Sequence, residues 1–339
     1  MRAFIVPIFI PNVGCPTRCV FCEQPRITSQ SSSVPTPEEI TGILRQAITS
    51  KKYRKGIDAQ VAFYGGTFTR LPHSKMEGLL EAIRPFIEQG YFHSIRVSTR
   101  PDSLFRSKLL LMKTYGVKTV ELGVQSMDDN VLRMSNRGHG SQDTIAGVKK
   151  LKDFGFSVGI QLMPGLPGDN RDSFRKTIEA TIALSPHSVR LYPTVVIEGT
   201  QLAKMYREGR YQPLCLEDAV EMCAEAVIRL QQYGIPVIRI GLMSSPRLLE
   251  PGQVVAGPWH PSLGDLVRST VYAWRIAAKI PEEVRGKRIS IAVNPADLPL
   301  LRGHGGAGIK RLESKTGAKV IGIEPTSTVE SNQVLVKVV

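Results

Sequence analysis

Apolar and polar positions along this chain follow two alternating rhythms. Short runs rich in β-branched and aromatic residues occur at 3–10, 60–64, 93–98, 118–123, 157–162, 187–192 and 236–241. Each predicts a strand with at least one buried face. Helix-sized stretches lie between them. Residues 35–48 open with Thr36 as an N-cap and Pro37 at the first helical position. Residues 74–90 and 141–155 each read as one helix ending in glycine. Strand–helix alternation of this kind predicts a parallel sheet with helices outside. This number of repeats suits an α/β fold of the partial TIM-type (β/α)6 barrel kind, with extensions. Barrel chemistry sits at the C-terminal ends of the strands.

The rhythm changes after the last of these strands. Residues 263–280 predict a helix covering one side of the barrel, and 282–288 form a basic break. A strand at 288–294, two short helices around a glycine-rich turn, and strands at 319–323 and 333–339 follow. The expected division is therefore 1–284 and 285–339, the second part a small α+β unit. A Ser/Pro-rich stretch, 27–37, reads as a loop. The apolar N-terminus has no small-residue cleavage site and reads as a strand rather than a secretory signal.

Composition narrows the possibilities. Hydrophobic residues make up 42% and charged residues 22%, which allows a packed core and excludes wholesale disorder. The 44 Lys and Arg against 30 Asp and Glu leave a net charge of +14, which points to a polyanionic partner or to a solvated basic surface. No apolar run approaches the ~20 residues of a membrane span. Three of the five cysteines crowd into positions 15–22, a pattern that suits a metal site in a reducing cytoplasm better than a disulfide framework.

Those three, Cys15, Cys19 and Cys22, are spaced C-x3-C-x2-C directly after the first strand. Thiolates bind zinc or iron–sulfur clusters. Three are one short for structural zinc, with no nearby histidine to complete a tetrahedron. Three can hold a four-iron cluster and leave one iron open to a small molecule, with Phe21 shielding it from water. Cys215 and Cys223, in a helical pattern, read as core or surface thiols.

The motif and its surroundings resemble the radical S-adenosylmethionine superfamily. CPTRCVFCEQ, FYGGTF, VSTRPD, ELGVQSMDDNVL, NRGH and LMPGLPGD are similar to the radical domain of the elongator catalytic-subunit family, the tRNA wobble-uridine modifiers. They are shared more loosely with oxygen-independent coproporphyrinogen oxidases. The resemblance implies a 4Fe-4S cluster and S-adenosyl-L-methionine as cofactors, with a flavodoxin or ferredoxin as electron donor. It also implies oxygen-sensitive cleavage of S-adenosylmethionine to a 5′-deoxyadenosyl radical, which takes a hydrogen from the substrate.

The same resemblance assigns Gly65 and Gly66 to the family's glycine pair at the methionine amine. Thr67 stands where that motif usually has Glu. Ser98, Arg100, Glu121, Gln125, Gln161 and Met163 end successive strands around the cofactor, and Arg137 faces its carboxylate. Arg190 and Tyr192 end the sixth strand of the same set. His260 and Tyr192 are weak catalytic candidates and Trp259 a candidate stacking surface, with packing the alternative for His260 and Trp259.

Residues 301–323 resemble a KH domain, whose GxxG loop clamps about four nucleotides. Gly303, His304, Gly305 and Gly306 form that loop here, with Lys310 and Arg311 on the helix behind it. Arg302 replaces the usual apolar residue before the loop, and the chain ends before a third helix. Residues 285–339 carry nine Lys and Arg against four Asp and Glu. RNA binding and a degenerate packing module both remain open at this point.

Three functions follow as expectations. The first is a cytoplasmic radical enzyme acting on RNA, tRNA foremost, with no membrane partner. The fewer than 60 residues after the linker leave no room for the elongator acetyltransferase domain. The second is a radical enzyme for a small molecule or tetrapyrrole. The third is an iron–sulfur RNA-binding regulator without turnover.

Overall fold

The computed structural model describes residues 4–31 and 33–339. The first residue of the expected strand 3–10, and residue 32 of the loop 27–37, lie outside the described residues. Among the described residues twelve strands occur in chain order: β1 (Phe4–Phe9), β2 (Ala59–Tyr64), β3 (Ser94–Thr99), β4 (Val117–Gln125), β5 (Ser157–Leu162), β6 (Ser188–Leu191), β7 (Val196–Ile197), β8 (Val237–Ile240), β9 (Val254–Ala256), β10 (Arg288–Val293), β11 (Lys319–Pro325) and β12 (Val334–Val338). Seven of them form one parallel sheet in the order β1-β2-β3-β4-β5-β6-β8, curled into a half barrel. All seven expected strands are present. The seventh, β8, continues the six-stranded repeat in the same sheet.

Alternation along the strands sorts the side chains. Val6, Ile8 and Ile10 around β1, and Val61 and Phe63 of β2, are buried in the main apolar core. On β2, β3 and β4 the intervening positions include polar groups that meet across strands, as Gln60, Arg96 and Glu121 do. The middle of the concave face is therefore polar and the convex face apolar.

The helix Pro37–Ile48 starts as its sequence predicts. The Thr36 hydroxyl accepts from the Glu39 amide at 3.2 Å, and the Glu39 carboxylate accepts from the Thr36 amide at 2.7 Å. The single helix expected over 74–90 is instead two, His73–Glu81 and Arg84–Glu88. Pro85 is the cause: it has no N–H to bond Glu81, and its ring clashes with that carbonyl. The two-residue β7 and three-residue β9 pair antiparallel above the barrel. They are too short for any periodicity to reveal.

The helix Leu263–Ala277 belongs to two cores. Leu263, Leu266, Val267 and Val271 pack into the barrel core. Tyr272 and Ile276, with Ile280 and Val284, join Ile289, Ile291, Val293, Leu301 and Leu312 in a second core. In that second unit β10 runs parallel to β11 and antiparallel to β12. Ser269 donates to the Leu300 carbonyl at 2.8 Å. A Cβ on Gly303 would lie 2.5 Å from the Ser269 hydroxyl, and one on Gly308 would lie 2.3 Å from the Leu301 carbonyl. Both glycines are therefore held by packing.

Because one helix serves two cores, truncating its far end should weaken both. Ile276 is 1% exposed, so Ile276→Ala is expected to cost about 2–5 kcal/mol and to lower the thermal midpoint of barrel and C-terminal unit together. Two separated transitions in circular dichroism, with only one displaced, would contradict the shared-core account.

Candidate active site at the cysteine loop

The three cysteines leave β1 on one loop, and other elements hold that loop by backbone contact. Thr67 N donates to the Val13 carbonyl at 2.8 Å, and Val20 N donates to the Ser135 carbonyl at 3.2 Å. The Asn136 side chain, on a left-handed residue with φ 51°, donates to the Arg18 carbonyl at 2.8 Å. Gly66 makes the tightest approach. A Cβ there would lie 2.2 Å from the Val13 carbonyl oxygen and 2.6 Å from that of Ile10. Gln24, just past the last cysteine, accepts from the Gly66 amide at 2.9 Å and also from the Asn12 amide. Sequence reasoning passed over Asn12 and Gln24, although both flank the cysteine motif.

Each thiol has a neighbour. Cys15 Sγ lies 3.4 Å from the Thr67 hydroxyl, and Cys22 Sγ lies 3.4 Å from Asn12 Oδ1. Arg137 Nη1 donates to Cys19 Sγ at 3.0 Å, and its Nη2 donates to the Gly123 carbonyl. Burial, reinforced by the Cys19 and Cys15 sulfurs, pushes the Cys22 thiol up to about 12. Among the described residues no three His, Cys, Asp or Glu side chains are gathered to hold a single metal ion. A four-iron cluster is wider than one ion, and a loop with three thiols suits it. Two buried donors beside these thiols, Arg137 Nε and Asn12 Nδ2, have no partner among the described residues. Buried donors rarely go unpaired, so this pocket fits a further acceptor-bearing group.

The predicted cofactor residues divide into two layers. Around the thiols stand Gly65, Gly66, Thr67, Gln125, Arg137, Gln161 and Met163. Gln125 is left-handed, with φ 75°, at an irregularity in the β4–β5 register. Its side chain accepts from Gln161 Nε2 at 3.2 Å. That is backbone strain of the sort stored at functional sites. Met163 packs with Phe21, Leu166 and Tyr192, which closes the apolar side of the pocket.

Arg100 has a different task nearby. Its guanidinium forks onto Asp102 at 2.9 and 2.8 Å and reaches the Thr17 hydroxyl at 3.3 Å. It braces the cysteine loop. Burial alone would raise Asp102, but the Arg100 fork overrides it and holds the carboxyl below its ordinary value.

Deeper in the barrel lies a second layer. Glu121, paired in register with Ser98, accepts from Arg96 at 2.5 Å and from Arg190 at 2.9 Å. Arg190 also donates to the Tyr64 hydroxyl at 2.6 Å and the Tyr192 hydroxyl at 3.2 Å. Burial, then the Glu121 charge, pushes Tyr64 up to about 12. Gly159 makes room for this cluster, since a Cβ there would lie 3.0 Å from Glu121 Cγ. Glu121 thus belongs to a lumen cluster one layer below the thiols, while Tyr64 and Arg96 are lumen residues that the motifs alone do not mark.

His260 and Trp259 lie apart from the thiols. Trp259 packs with Val195, Ile197 and Leu248 beneath β7 and β9. His260 meets His304 of the glycine loop edge-on, with ring centroids 5.5 Å apart. Cys215 caps the helix Leu216–Gln232 by accepting from the Asp218 amide, and Cys223 is buried in the main core. Neither joins the cysteine loop.

Comparison with known proteins accounts for this arrangement. A profile of the radical SAM superfamily matches residues 9–181, and one of the radical SAM C-terminal domain matches 186–273. The chain belongs to the radical SAM superfamily. A tRNA uridine(34) acetyltransferase of Methanocaldococcus infernus is 37% identical over 133 residues, which cover 38% of this chain and 25% of that protein. Mouse elongator complex protein 3 is 35% identical over 182 residues, 47% of this chain and 33% of that one. An uncharacterized protein of Methanocaldococcus jannaschii is 29% identical over 244 residues, covering 68% of this chain and 73% of its own length. This chain therefore spans only a quarter of that acetyltransferase and a third of that elongator protein. Among solved structures, an N-terminally truncated archaeal Elp3 shares the fold with a TM-score of 0.61 at 23% identity, covering 78% of this chain and 61% of that one.

The buried charges near Cys19 make a pH prediction. Burial, then the Arg137 and Arg100 charges, lowers His139 from 6.5 to about 4. The folded protein keeps this ring neutral while the unfolded chain protonates it, so its penalty grows as pH falls from 6.5 to 4. The loss reaches up to about 3 kcal/mol by linkage. His139→Gln is expected to flatten the fall in unfolding free energy between pH 7 and pH 4.5. An equally steep fall in the variant would remove His139 from the account.

Proposed function

We propose that this protein is a cytoplasmic radical enzyme that modifies RNA, tRNA foremost, using a 4Fe-4S cluster and S-adenosyl-L-methionine. The observation that carries the RNA half is the contact between His260 and His304. His260 directly precedes the helix Leu263–Ala277, whose Leu263 packs against Gly241 just past the end of β8, and His304 belongs to the glycine loop. A strand of RNA gripped at that loop would lie beside the C-terminal end of β8, at the edge of the barrel. Added Cβ atoms at Gly305 and Gly306 would meet nothing within 4 Å, so the tip of the loop is open to a ligand while Gly303 anchors its base. Residues 1–284 are then the catalytic part and 285–339 a KH-like positioning part. The similarity to a tRNA uridine(34) acetyltransferase supports this reading.

Cys15, Cys19 and Cys22 would hold the cluster, with Gly65, Gly66, Arg137, Gln125 and Gln161 around the amino-acid and nucleoside portions of the cofactor. When bound, these groups supply one-electron chemistry able to remove a hydrogen atom from an unactivated carbon. The chain's own contribution is orientation and exclusion. Arg137 offers a fixed guanidinium to a carboxylate. Phe21, Met163 and Leu166 keep one wall apolar, while the Arg96–Glu121–Arg190 cluster and its tyrosines present a polar floor to the substrate. Cys15 is the exposed thiol of the three and marks the side from which a flavodoxin or ferredoxin would deliver an electron. Among the described residues no helix is long and apolar enough to cross a membrane.

Anaerobic reconstitution with iron, sulfide, S-adenosylmethionine and a one-electron reductant is expected to release 5′-deoxyadenosine. Alanine at Cys15, Cys19 or Cys22 should abolish both that product and the brown cluster absorbance. Mass spectrometry of tRNA nucleosides from cells with and without the gene should show one modification missing. Deoxyadenosine release with no RNA bound would favour the small-molecule reading; RNA bound with no release would favour a regulator.

A further inference from the structure

The helix Ala307–Thr316 begins directly behind the glycine loop and runs along the outer wall of the barrel beside the helices Leu263–Ala277 and Leu216–Gln232. A groove of about 300 Å³ opens between the three. Glu221, Trp274, Lys310, Arg311, Ser314 and Lys315 line it. Its charge is unbalanced. The single carboxylate, Glu221, is already held by Arg171 at 3.1 Å. Lys310, Arg311 and Lys315 form no ion pair among the described residues, whereas nearby Lys319 is paired with Glu313 at 3.2 Å. Arg311 Nη1 is buried without a hydrogen-bond partner. Lys315 is held with its ammonium 5.1 Å from the centre of the Trp274 ring. A guanidinium with an idle buried N–H beside two free ammonium groups and a serine hydroxyl suits a phosphate.

We infer that this groove is a second phosphate-binding site, taking the phosphodiester backbone of the RNA strand that leaves the glycine loop. The spacing supports an extended run of donors. Lys310 and Ser314, and Arg311 and Lys315, are each four positions apart, so the four polar side chains share one side of the helix. The groove lies on the barrel side of its helix and opens at Ala307, one residue past Gly306. RNA would therefore be gripped twice, once at the loop by the edge of the barrel and once along the outer wall. This inference rests on the RNA reading above.

The test uses the full chain and a labelled single-stranded RNA 12-mer, with affinity measured by fluorescence anisotropy over a range of salt. Each lost phosphate contact on a single strand reduces the slope of log affinity against log salt by about 0.7. Lys310→Gln with Lys315→Gln, both at exposed positions, should lower the slope by about 1.4, and adding Arg311→Gln should bring the reduction to about 2. The double variant keeps the test sound if the triple variant folds poorly. Gly305→Asp with Gly306→Asp is the comparison. If the glycine variant loses RNA while the lysine variants keep the wild-type slope and affinity, the groove assignment is wrong and the RNA reading stands. If the wild-type chain binds no RNA, the RNA reading itself fails. Trp274 fluorescence in a Trp259→Phe chain identifies the source of the phosphate. A saturable change with the 12-mer is expected, and a change with pyrophosphate but not with the 12-mer would overturn the backbone assignment.

Discussion

Everything at the catalytic end depends on Gly66 lying against the carbonyls of Val13 and Ile10. At that separation no side chain can exist, and a single methyl would push β2 away from the cysteine loop. The contact does two jobs. It carries the loop from the edge strand β1 to a fixed place above β2, where Thr67 meets Cys15. It also brings the Gly66 amide within 2.9 Å of the Gln24 side chain just past the last cysteine, so both ends of the loop are tied to the same glycine. The absence of a side chain is thus what locks the loop to the sheet.

The opposite side of the thiols is governed by charge. Arg137 is buried, reaches Cys19 with one nitrogen and a main-chain carbonyl with another, and keeps Nε unpaired. Burying such a cation is costly unless an anion joins it. With His139 neutral behind it and Arg100 already paired with Asp102, the groups left to meet its charge are the thiols of Cys19 and Cys22. The site is electrostatically incomplete in a definite sense: it is built for negative charge, and both a thiolate-bound cluster and a carboxylate would complete it.

The chemistry-bearing loop was legible in the sequence because its signal is local: three thiols within eight residues, after a strand, followed in order by the glycine pair and the arginine of NRGH. The seven strands of the main sheet were legible for the same reason, since each carries its own short β-branched pattern, whereas β7 and β9 are too short to carry one. What stayed hidden depends on distance. Glu121 meets Arg96 and Arg190 only because three strands align in register, so its motif position could not separate a cofactor contact from a lumen ion pair. Arg100 is spoken for by Asp102 two residues on, a pairing that the shape of the turn decides. Pro85 is the instructive case: its effect was readable from backbone sterics, and the apolar period of 74–90 concealed it. The double role of Gly303, loop residue and packing residue, needed Ser269 from a helix more than thirty positions earlier.

That last contact also changes the meaning of the basic composition. A net charge spread over a surface raises the local concentration of any polyanion but does not orient it. Here the glycine loop is anchored through Gly303 to the helix Leu263–Ala277, whose first turns pack into the barrel. The helix that follows the loop carries Lys310, Arg311 and Lys315 on the groove beside the barrel helices. Such cations keep a constant position relative to the thiols. A bound strand would inherit that geometry, and orientation of the reacting carbon, more than affinity, is what a short-lived radical demands of its protein.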